Sequence, residues 1–86
     1  MNKQQRHSID GIKAQVVFIL RMAELERKRL SFTRKRKIET SYSSLVLHAS
    51  KLGLHVLTPG TWYESEEYAR NCQDMLAQLK LRYEQA

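Results

Sequence analysis

The side chains that could support catalysis or metal binding are three histidines, one cysteine, two adjacent glutamates and a group of serines. Their spacing argues against both kinds of chemistry. His7, His48 and His55 are scattered, no two of them are one helical turn apart, and no CxxC occurs, so no metal-ligand set is expected. Cys72 falls at the centre of an apolar helical stripe, where it packs as a small hydrophobe, and a thiol buried that way has a raised pKa. Glu66 and Glu67 are neighbours and project to different sides of a helix, which suits a helix start better than paired acid–base work. Ser41, Ser43 and Ser44 have no candidate base nearby in sequence, and read as helix surface. Gly11, Gly53 and Gly60 are isolated, so no phosphate-cradling loop is present. The expectation is a protein that is not an enzyme and uses no cofactor.

Charge is the informative signal. Between Arg27 and Lys37, seven of eleven residues are Lys or Arg and none is acidic. Residues 1–40 carry eleven cations against four acids, whereas residues 41–86 carry four against five. Arg27-Lys28-Arg29 closes a helix, where cations are favoured by the dipole. Arg34-Lys35-Arg36-Lys37 opens the next one, where they oppose it at about a few tenths to 1 kcal/mol per charge. A locally unfavourable cluster points to a function that overrides stability. A second version starts this helix later, near Glu39, and leaves residues 31–37 as a basic loop.

The elements that position this cluster follow from apolar spacing. Met1–His7 is polar and reads as a flexible N-terminus preceding a single helical domain over residues 8–86. A first helix starts at Ser8 and runs to about residue 30, with Ile12, Val16, Ile19 and Ala23 at helical intervals. Ile9 and Leu20 widen that stripe on one side, and Phe18, Met22 and Leu25 on the other, to about 200° of the circumference. Such an arc needs either a central place in a bundle or a second copy of the chain, and a homodimer through this helix is the favoured alternative. Thr33 caps a second helix (34–53), with Ile38, Tyr42, Leu45, Ala49 and Leu52 as its stripe. Gly53 ends it in the left-handed position, and Leu54 folds back onto the last turn. His48 borders the stripe, and His55 lies near the terminal carbonyls. Pro59-Gly60 makes a turn, Thr61 to Glu64 forms a capping box, and a third helix (61–84) buries Tyr68, Cys72, Met75, Leu76, Leu79 and Tyr83. The expected fold is an all-α three-helix bundle.

Eighty-six residues make one domain with a thin core. The lone cysteine excludes an intramolecular disulfide and fits a reducing, intracellular (cytoplasmic) setting. No apolar run approaches the ~20 residues of a membrane span. A net charge of +6 gathered in the first half favours a polyanionic partner. The first expectation is nucleic-acid binding, DNA or RNA, in a regulatory role, through Arg27, Lys28, Arg29, Phe32, Thr33, Arg34, Lys35, Arg36 and Lys37. Engagement of about five phosphates gives a log–log salt slope near −4.5 on duplex. No good helix-turn-helix is found, because Pro59-Gly60 falls where a recognition helix would run. The alternative is an adaptor or inhibitor that docks its basic corner on an acidic protein surface, with Phe18, Met22, Trp62 and Tyr63 as interface anchors. The plainest alternative is a solvated corner that serves solubility alone.

Overall fold

The computed structural model describes residues 2–57 and 65–83, which form three helices and no strands. Helix α1 spans Lys3–Lys28, α2 spans Phe32–Lys51 and α3 spans Ser65–Tyr83. They pack as the all-α bundle expected from the sequence. The Pro59-Gly60 turn, the Thr61–Glu64 capping box, Trp62 and Tyr63 lie outside the described residues.

Helix α1 begins at Lys3, five residues before the Ser8 start read from the sequence. The reason is local: Asn2 and Gln5 form a reciprocal capping box, in which the Gln5 N–H donates to Asn2 Oδ1 at 2.8 Å and the Asn2 N–H donates to Gln5 Oε1 at 3.2 Å. Residues 3–7 are therefore helical, and Ser8 and Ile9 are already buried. Helix α2 likewise starts early. Ser31, not Thr33, is its N-cap, its hydroxyl accepting the Arg34 N–H at 3.3 Å. The second cationic cluster, Arg34–Lys37, is thus helical, and the version with a loop over residues 31–37 is set aside.

The end of α2 follows the expectation closely. Gly53 has φ +70°, its N–H donates to Ser50 O at 3.1 Å, and the Leu54 N–H donates to Ala49 O at 3.0 Å. These are the two bonds of a Schellman motif, and buried Leu54 supplies its apolar contact. The link that follows is held by side chains. Tyr42 Oη donates to Leu57 O, Gln78 Nε2 to His55 O at 2.8 Å, and Tyr83 Oη to Leu52 O at 3.3 Å.

Helix α1 is the central element. Its buried Ile9, Ile12, Val16 and Ile19 meet Ile38, Tyr42 and Leu45 of α2 and Tyr68, Cys72, Met75 and Leu79 of α3. Helices α2 and α3 pack on separate sides of α1 and touch each other little. The broad apolar arc is therefore largely used within one chain, and Leu20 and Met22 lie partly buried against the core. Tyr42 and Tyr68 pack edge to face at 4.9 Å where α2 and α3 do meet. Gly11 allows close approach: a Cβ there would sit 2.5 Å from His48 Nε2, and the His48 ring also packs on His7. No described helix is long and apolar enough to cross a membrane.

Candidate nucleic-acid interface

The cationic segment wraps the reversal between α1 and α2, and the fold divides its members into two groups. The first group is engaged internally. Glu26 lies on the core side of α1 and is 5% exposed. Its Oε1 accepts the backbone N–H of Ser31 at 2.9 Å and the Arg34 guanidinium at 3.0 Å. The other contact of Arg34 Nη1 is the Arg29 carbonyl, at 2.6 Å. One arginine thus joins the last turn of α1 to the first turn of α2. The buried carboxylate also places negative charge at the N-terminus of α2, a helix with no acidic residue in its first turn. That charge offsets part of the electrostatic cost of the cluster, and the sequence reading missed it. The signal was present, since Glu26 lies three residues after Ala23 and seven after Ile19 on the apolar stripe. Arg27 reaches the other way, its guanidinium forking onto the Glu66 carboxylate at the start of α3. Glu66 therefore has a tertiary partner as well as its place in the helix dipole.

The second group faces solvent. Lys28, Arg29, Lys35, Arg36 and Lys37 are all exposed. Arg36 stacks over the Phe32 ring at 5.5 Å, a cation–π contact. Phe32 is itself 76% exposed and Leu30 85% exposed, so two large apolar side chains stand out at the tip among the cations.

Thr33, Arg36 and Lys37 continue away from the tip along the seam of α1 and α2. There they line an open groove of about 530 Å³ together with Thr40, Ser41 and Ser44 of α2 and Gln15 and Phe18 of α1. Sequence reasoning named Thr33, Arg36, Lys37 and Phe18, but for other reasons. It did not find Gln15 or Thr40, and it read the serines only as surface. Ser41 is in fact buried, and its hydroxyl donates to Gln15 Oε1 across the seam. Of the other expected anchors, Met22 is partly buried against the core and Phe18 is 38% exposed.

Burial pushes the Cys72 thiol up to about 12. Burial also raises the Tyr42 phenol above its usual 10.0, against a lowering by its hydrogen bond with Asn71. No three His, Cys, Asp or Glu side chains among the described residues converge as a metal site would require. Comparison of the chain with known protein families, with curated proteins and with solved structures finds no match.

Proposed function

We propose that this chain is a small regulatory nucleic-acid-binding protein that holds the phosphate backbone through its cationic corner. The observation that carries the reading is the exposure of Lys28, Arg29, Arg36 and Lys37 at one end of the bundle, beside Arg27 and Arg34, which are paired with Glu66 and Glu26. Cations grouped this way neutralise phosphates and release counterions, and hydroxyls beside them add hydrogen bonds that fix register. Thr33 and Ser44 stand on the same side of α2 as Lys37. The test is a titration against random duplex, single-stranded DNA and RNA across a salt series. Four phosphate contacts give a log–log slope near −3.6 on duplex and near −2.8 on a single strand. Undetectable binding to all three at ~50 mM salt removes this reading.

A second reading rests on Leu30 and Phe32. Exposed apolar side chains, one of them stacked under Arg36, are also suited to anchoring an interface with an acidic protein surface. Failure of the nucleic-acid titration would promote this non-enzymatic adaptor or inhibitor role.

A further inference from the structure

The groove on the α1–α2 seam and the cationic tip are continuous, and the groove has features that phosphate binding alone does not need. Thr33, Lys37, Thr40 and Ser44 follow one another at helical spacing along α2, over about 17 Å at 1.5 Å per residue. The groove is open along one side, and its volume of about 530 Å³ leaves room for a planar group laid against its wall. Phe18 offers an aromatic surface inside it. Gln15 has its Oε1 occupied by Ser41, which leaves the Nε2 hydrogens as donors for an acceptor placed beside it.

From this combination we infer that the groove receives an unstacked base of a single strand, so that the preferred ligand is single-stranded rather than duplex nucleic acid. The inference rests on the nucleic-acid reading and specifies its substrate class. In a duplex the base faces are covered by their neighbours, and only phosphates and groove edges reach a protein. In a single strand each base has a free face for an aromatic side chain and a free edge for an amide. The arrangement supplies one group for each need. Arg36 and Lys37 meet the backbone, Phe18 meets the base face, and Gln15 meets a base carbonyl or ring nitrogen. Charge complementarity selects a strand over a neutral apolar segment as the occupant, because Arg36 and Lys37 are the charged residues of the groove's lining and no acid is among them.

The experiment is fluorescence anisotropy with labelled oligonucleotides of about twelve residues. Single-stranded DNA, single-stranded RNA and the matching duplex are compared at one fixed salt concentration. The expected result is about tenfold tighter binding of a single strand than of duplex. Phe18→Ala should lower single-strand affinity about tenfold and leave duplex affinity within about twofold, whereas Phe18→Tyr, which keeps the ring, should retain the preference. Circular dichroism checks that each variant folds. Ser44→Leu, which fills the groove without changing charge, should give the same selective loss and stands in if Phe18→Ala unfolds. Equal binding of duplex and single strand, or equal loss on both with either variant, overturns this inference and leaves the phosphate-binding reading intact. Absence of binding to any oligonucleotide overturns both.

Discussion

Replacing Glu26 by alanine tests whether the cationic corner is held in place by the carboxylate beneath it. The substitution removes the acceptor of the Ser31 N–H and of the Arg34 guanidinium together. Breaking a buried ion pair from one side costs about 3–5 kcal/mol. Here the Arg34 side chain keeps 24% of its exposure and its bond to the Arg29 carbonyl, so water and backbone recover part of the loss. An expected destabilisation of about 2–3 kcal/mol remains. At ~4–8 °C per kcal/mol for a domain of this size, the midpoint should fall by roughly 10–20 °C. Glu26→Gln keeps an oxygen for both donors and should cost only about 1 kcal/mol, since neutral acceptors contribute about half as much as charged ones. The assay is urea unfolding followed by circular dichroism, with Arg34→Gln and the double variant completing a cycle. A coupling of at least about 1 kcal/mol is expected between the two sites. If Glu26→Ala unfolds within 0.5 kcal/mol of the parent, the carboxylate does not anchor the reversal and the division of the cluster into two groups is wrong.

The other predictions concern different parts of the molecule. Charge removal at Arg36, Lys37 or Lys28 should each flatten the single-strand salt slope by about 0.7, whereas Arg27→Gln and Arg34→Gln should leave it nearly unchanged and lower stability instead. Equal slopes for the two sets would contradict the assignment. Gly11→Ala normally stabilises a helix by about 0.5–1 kcal/mol, but here the new methyl meets the His48 ring, and a net loss of about 1 kcal/mol is expected. In a His48→Ala background the same change should become stabilising, which thermal melts of the four proteins would show. Gly53→Ala should cost about 1–2 kcal/mol from its φ of +70° alone, since a Cβ there meets nothing within 4 Å. Alkaline stability should reveal Cys72. Its folded pKa of about 12 lies above the ordinary 9.0, so its contribution is complete below pH 9 and is lost as pH rises from 9 towards 12. The unfolding free energy from urea titration should decline through that window, by up to about 1.4 kcal/mol per pH unit from the thiol. The raised Tyr42 phenol acts in the same direction above pH 10. Cys72→Ala should show a shallower decline, and an unchanged midpoint in the parent would count against burial of the thiol.

What the sequence made legible was what local rules determine. Ile12, Val16, Ile19 and Ala23 recur at helical intervals and are buried, and Gly53-Leu54 carries the chemistry of its own cap. The start of α1 was missed because Asn2 and Gln5 form a capping box with Gln in place of the commoner acid, in a stretch too polar to read as helix. The apolar arc of α1 could be satisfied by two neighbours or by a second chain, and only the packing shows how far α2 and α3 cover it. The site divides along the same line. That the corner is basic was plain from composition. That Arg27 and Arg34 are paired with acids was not, because their partners lie 39 and eight residues away across chain reversals. The groove was invisible for a related reason: Gln15 and Ser41 become neighbours only when the helices cross.

That α2 and α3 each pack chiefly on α1 has a consequence for how the molecule opens. With little direct contact between the outer helices, α3 can detach while the α1–α2 hairpin stays closed, the Arg27–Glu66 pair acting as the catch at one end. Native-state amide exchange should therefore resolve two cooperative units, with α3 opening at a lower free energy than the hairpin. The whole candidate interface belongs to the slower unit. Partial opening would expose the face of α1 that α3 covers, beside Ala23, and leave the basic corner assembled.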